Sequence, residues 1–205
     1  MKLYIDNDQK FATETLLIFL LPVLLIYYGV ISHTQRLPLL VLVVLSVFLI
    51  IKREKWKLED MGIHLNKFGS GLFYYASFTA IGFLGLVYYS FLVNKGSVPS
   101  FSINPYLLLS FIPISFFQEF LYRGFMMKML SSVFHERMTI VLINSALFTV
   151  LHIIYPLPLF MLPLAFISGL YFSVIYTYIP NLFLVSVSHA ILNLVAVGLG
   201  FFVIS

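Results

Sequence analysis

Long apolar runs separated by short polar stretches set the pattern of the chain. The runs cover residues 13–32, 37–51, 68–93, 106 to about 130, 137–155, 157–178, and from Pro180 nearly to Ser205. None alternates with the two-residue period of a membrane barrel strand, and most are long enough to cross a hydrocarbon core as helices. A lipid-embedded backbone must satisfy its own polar groups, which leaves helices as the solution. The expected fold class is therefore all-α, a polytopic transmembrane bundle of about seven spans. Residues 1–205 read as a single integral membrane domain, with no repeat and no low-complexity tract. Pro22 lies inside the first run, and Pro113 predicts a kink in the fourth.

Composition agrees. Apolar residues make up 61% of the chain and charged residues 10%, against roughly a quarter charged in soluble domains. The first run follows Asp6, Asp8 and Glu14 and precedes no small-residue cleavage site, so it reads as a retained span. The absence of cysteine removes disulfides and thiolate metal sites. A net charge of +4, confined to the connections, fits anionic lipid and gives no reason to expect nucleic acid.

The polar connections give orientation. The one hydrophilic stretch of any length, Lys52 to Lys67, is also the most basic, and Trp56 stands in it where an interfacial anchor belongs. The positive-inside rule puts this stretch and the N-terminus in the cytoplasm. Lys128 and Arg137 then fall on the same side, and Lys95 is a minor exception. The remaining connections are His33 to Arg36, Asn94 to Pro105, and Tyr155-Pro-Leu-Pro158.

Three helices carry polar pairs at depth. Glu119 and Arg123, Phe148 and His152, and His189 and Asn193 are each four apart, hence on one helical face. At 1.5 Å per residue, Glu119, His189 and His152 lie roughly 16, 13 and 22 Å from the cytoplasmic side, in the middle third of a core about 30 Å thick. Ionisable groups at that depth are costly and mark functional sites. The bland alternative is an ion pair and interhelical hydrogen bonds that only hold helices together. Three such pairs at one depth weigh against it. They should converge on one cavity between the fourth, fifth and seventh helices. Gln118 points about 100° away from Glu119. Asn144 shares the face of Phe148 and His152. Ala165, Gly169 and Ser173 form a small-residue stripe, read as packing.

The series Gln118-Glu119-Phe-Leu-Tyr-Arg123-Gly124, Phe148-Thr-Val-Leu-His152 and His189-Ala-Ile-Leu-Asn193 resembles the CPBP family of CAAX-protease and bacteriocin-processing intramembrane metalloproteases, also called the Abi family. Gly169-Leu-Tyr171 is similar as well. The likeness covers residues 105–200, which it marks as the catalytic-type core. It implies an intramembrane metalloendopeptidase of a bacterial plasma membrane, cutting a hydrophobic or prenylated peptide or a membrane-embedded protein. Gln118 would hold the place of a water-activating Glu. His152 would assist water activation, His189 and Asn193 would stabilise the oxyanion, and Arg123 would orient Glu119. A divalent metal such as zinc is an expected cofactor. Gln118 departs from the motif, since an amide cannot serve as general base at neutral pH. The alternative expectation is a catalytically impaired member that binds a membrane-protein partner, as a regulator or a bacteriocin-immunity protein.

Overall fold

The computed structural model describes residues 7–64, 68–97, 105–154 and 158–201. Within them the chain folds into seven helices, and no strand occurs among the described residues. Helix α1 joins Asn7–Thr15 to Leu21–Tyr27 through a π-helical turn at Leu16–Leu20, and α2 is Arg36–Arg53. Helix α3 is Phe68–Val93. Helix α4 runs Pro105–Glu119, continues through a π-helical turn at Phe120–Met126, and ends as Met127–Val133. Helix α5 is Arg137–Val150 with a final 3-10 turn at Leu151–Ile154, α6 is Pro158–Tyr178, and α7 is Leu182–Gly198. The connection expected at Tyr155-Pro-Leu-Pro158, most of that between Asn94 and Pro105, Lys67, and the chain after 201 lie outside the described residues.

Four of these helices are long and apolar enough to cross a membrane, at Asp8–Tyr27, Gly71–Val93, Arg137–Ile154 and Met161–Tyr178. The other three differ for chemical reasons. Helix α2 has Arg36, Lys52 and Arg53 at its ends, α4 holds Glu119, Arg123 and Lys128, and α7 is the shorter apolar helix Leu182–Gly198. An integral membrane bundle accounts for the outward face: Leu49, Phe73, Leu84 and Ile167 are all more than half exposed. These side chains suit lipid and would be costly in water.

Helix ends follow local chemistry. The Asn181 side chain accepts from the Leu184 N–H and starts α7 two residues later than the apolar run suggests. The helix closes at Gly198, and Gly200 adopts φ +80 just beyond. Glu136 caps α5 by accepting from the Thr139 N–H and hydroxyl, which holds its carboxyl below the usual range.

The basic stretch is more than a connection. Its 3-10 turn, Leu58–Met61, folds back on the bundle and leaves Met61 with no exposed surface. The Tyr176 hydroxyl donates to the Met61 carbonyl at 2.8 Å, and the Leu182 N–H donates to the Gly62 carbonyl at 2.9 Å. Gly62 sits at φ +70, where an added Cβ would lie 2.1 Å from the Tyr176 oxygen. Both facts require glycine there. Trp56 packs on Phe125, with ring centroids 5.7 Å apart. At the same end, Lys10 pairs with Glu54 at 2.6 Å and Arg53 with Glu14 at 2.5 Å, tying α1 to α2.

Candidate active site

The carboxylate at the centre is supplied by α4. Glu119 is fully buried, and its Oε1 accepts from Arg123 Nη1 at 3.0 Å and faces His189 Nδ1 at 2.6 Å. The Arg123 Nη2 donates to the Gly169 carbonyl of α6 at 3.2 Å. Its guanidinium carbon lies 4.5 Å from the centre of the Phe148 ring and 5.5 Å from that of Phe172. One cation thus joins α4, α5 and α6, through charge, a backbone carbonyl and two aromatic faces.

The π-helical turn helps to place that cation. Such a turn widens the helix by one residue and often marks a functional position. Here it carries Arg123 directly after Tyr122, whose carbonyl accepts from Asn144 Nδ2 at 2.7 Å. The Ser173 hydroxyl donates in turn to Asn144 Oδ1 at 3.0 Å. Asn144 and Ser173 have no exposed surface. Gly169 allows this close approach of α5 and α6, since an added Cβ would meet Ser145 Cα at 3.1 Å. The stripe of Ala165, Gly169 and Ser173 is therefore more than a packing surface. It supplies a wall residue, a carbonyl for Arg123 and a hydroxyl for Asn144.

His152 stands on the closing 3-10 turn of α5, not within the α-helix proper. Its Nδ1 lies 2.9 Å from the Phe148 carbonyl, one of the carbonyls a helix end leaves without an internal partner. A carbonyl only accepts, so this bond fixes the proton on Nδ1 and leaves the lone pair of the neutral ring on Nε2. Both imidazoles pack against Phe148. The ring centroid of Phe148 is 4.8 Å from that of His152 and 5.7 Å from that of His189, so the two imidazoles are no further apart than the sum of these distances.

His152, His189 and Asn193 line one cavity of about 440 Å³. Its walls are α3, α5, α6 and α7, with Gly82 and Gly85 of α3 forming part of one side. This corrects the sequence expectation in one respect. Among the described residues α4 contributes no wall residue, and Glu119 stands behind His189. Helix α3, which offered no obvious chemistry, encloses the cavity instead. Asn193 Nδ2 donates to Ser115 Oγ of α4 at 3.2 Å. Ser115 is one turn before Glu119, so the same four-residue spacing could have flagged it.

Gln118 is buried but does not line the cavity, and its amide makes no hydrogen bond among the described residues. It faces other neighbours than Glu119 does, as its helical offset requires. Glu119 Oε2 and Arg123 Nε are buried without a hydrogen-bond partner among the described residues. No group of three or more His, Cys, Asp or Glu side chains is arranged to hold a metal ion among the described residues. His152 and His189 offer two ring nitrogens, while Glu119 is engaged by Arg123.

No curated protein and no solved structure matches the chain significantly. Residues 100–195, just under half of the chain, match the family model described as type II CAAX prenyl endopeptidase, Rce1-like. That segment contains Glu119, Arg123, His152, His189 and Asn193. Residues 100–195 of this helical membrane protein thus form a domain of the CAAX protease family.

Proposed function

We propose that the protein is an intramembrane endopeptidase that hydrolyses a peptide bond of a hydrophobic or prenylated substrate in the cavity between α3, α5, α6 and α7. The observation that supports it most is the 2.6 Å contact of His189 Nδ1 with Glu119 directly behind a cavity that His152 and Asn193 also line. A carboxylate at the back of an imidazole accepts from its ring N–H and fixes its orientation, the arrangement general acid–base catalysis uses.

The chemistry then divides as follows. His152 Nε2 accepts a proton from a water whose oxygen attacks the scissile carbonyl carbon. Charge that develops on the carbonyl oxygen meets a donor in the Asn193 amide and, in its imidazolium form, in His189 Nε2. The proton held by His152 passes to the departing amine as the carbon–nitrogen bond breaks. Glu119 Oε2, buried and unpartnered, is a further acceptor for a water. Each of these steps is carried by the chain's own side chains.

The membrane in question is proposed to be a bacterial plasma membrane, with the docked basic loop in the cytoplasm. A second reading rests on Gln118, an amide where the family motif has a carboxylate. In that reading the cavity binds a membrane peptide or protein without cutting it, as a regulator or bacteriocin-immunity protein. Turnover of hydrophobic and prenylated peptides by the purified protein in lipid separates the two. The peptidase reading expects kcat to fall in His152→Ala with substrate binding retained. Binding without turnover in the unaltered protein favours the second.

A further inference from the structure

The cavity lies at one end of the bundle and the basic residues at the other. Its α3 lining runs from Ile81 to Leu92, in the half of that helix remote from Phe68. Phe148 and His152 are at the close of α5, and the α7 lining runs from His189 to Ala196, away from Leu182. Helix α6 runs the opposite way, and its lining, Met161 to Phe172, falls in its earlier part.

The loop end is sealed. Met61, Phe125, Leu130 and Leu182 have no exposed surface, and Tyr122 and Tyr176 have almost none. They stand on the loop side of Glu119, Gly169 and His189 and close that end among the described residues. The other end is open among the described residues. Tyr88 and Leu92, in the last turns of α3, line the cavity and are 64% and 56% exposed. Hydrolysis consumes water, and water must come by an unsealed path.

Charge assigns these ends to sides of a membrane. Lys10, Lys52, Arg53 and Lys128 flank the loop that holds Lys55 and Lys57, while Arg36 and Lys95 lie at the opposite end. This asymmetry places the loop in the cytoplasm.

We propose that the cavity is filled from the side of the membrane opposite the basic loop. Water and substrate then arrive from the non-cytoplasmic face. The substrate class is a peptide that presents an apolar, extended segment in or just above the outer half of the bilayer, and not the tail of a cytosolic protein. The word substrate rests on the peptidase reading; the direction of access does not.

The chain has no cysteine, so a single introduced thiol reports unambiguously. Ser168→Cys changes one atom in the cavity wall, and Tyr88→Cys marks the exposed mouth as a second reporter. Glu59→Cys marks the loop face and Val30→Cys the opposite face. The probe is a charged, membrane-impermeant maleimide, applied to intact cells and to inverted vesicles. In intact cells the Ser168→Cys, Tyr88→Cys and Val30→Cys variants should be labelled and Glu59→Cys spared, with the reverse in inverted vesicles. Labelling of Ser168→Cys from the Glu59 face, only by a permeant maleimide, or by neither reagent would overturn the proposal. So would labelling of Glu59→Cys in intact cells. Labelling needs no turnover, so a protein that cleaves nothing can still pass this test, and an active one can fail it.

Discussion

Removal of the Arg123 side chain should be the most damaging single change at the site. Arg123 and Glu119 are both fully buried, at 3.0 Å. Arg123→Ala leaves the carboxylate with His189 as its remaining partner, deprives the Gly169 carbonyl of a donor and empties space between Phe148 and Phe172. Breaking a buried pair by removing one partner costs about 3–5 kcal/mol. His189→Ala removes one charge-assisted hydrogen bond, worth roughly 1–3 kcal/mol, and leaves the pair intact. At roughly 2–4 °C per kcal/mol for a chain of this size, Arg123→Ala should lower Tm by about 6–20 °C and His189→Ala by about 2–12 °C. Arg123→Lys should fall between wild type and Arg123→Ala, since an ammonium keeps the charge but lacks the planar fork that serves Glu119 and Gly169 together. The assay is thermal unfolding of the detergent-purified variants, read by the fraction remaining monodisperse after heating. Equal Tm values for Arg123→Ala and His189→Ala would refute a structural role for the ion pair.

Three other outcomes follow from the same geometry. His152→Ala should reduce peptidase turnover by roughly 10²–10⁴-fold, the usual worth of a general base, with a smaller loss of melting temperature than Arg123→Ala, because its ring bonds the carbonyl of Phe148 at the end of α5 and carries no part of the buried ion pair. Gln118→Glu restores the motif carboxylate. A gain in turnover that His152→Ala abolishes would mark the natural chain as an impaired enzyme, and no gain over an active wild type would leave Glu119 or His152 as the base. The docked loop should loosen in acid. The Lys57 N–H and then Lys128 hold the Asp60 carboxyl below its ordinary range, so its stabilising contribution is complete above that range and is lost as pH falls through the lowered value. Emission of the single tryptophan, Trp56, should report that change, and an emission unchanged down to full protonation would contradict it.

The helices were legible because lipid forces apolar residues into runs of the right length, and the paired polar positions stood out against them. The convergence of Glu119, His152 and His189 was legible for the same reason, since four-residue spacing and depth fix a face and a level. What the sequence hid was the docking of the basic stretch. The Lys52–Lys67 stretch has the composition of a solvated connection, and only the packing of Met61 against Gly124 and the bonds to Tyr176 and Leu182 show it docked. Likewise Gly82 and Gly85 bear no chemistry, so α3 gave no sign that it walls the cavity. The π-helical turn was hidden too, and the bond that Asn144 of α5 makes to the Tyr122 carbonyl within it is seen only once the helices are packed.

The most direct test of the account is peptide hydrolysis in water enriched in oxygen-18, with purified protein in lipid bilayers and a set of hydrophobic and prenylated peptides. The account expects wild type to yield two products, with the heavy oxygen in the new carboxylate. It expects both to form at least roughly 10²-fold more slowly with His152→Ala. Cleavage by His152→Ala at the wild-type rate, or no product from wild type and Gln118→Glu alike, would contradict it.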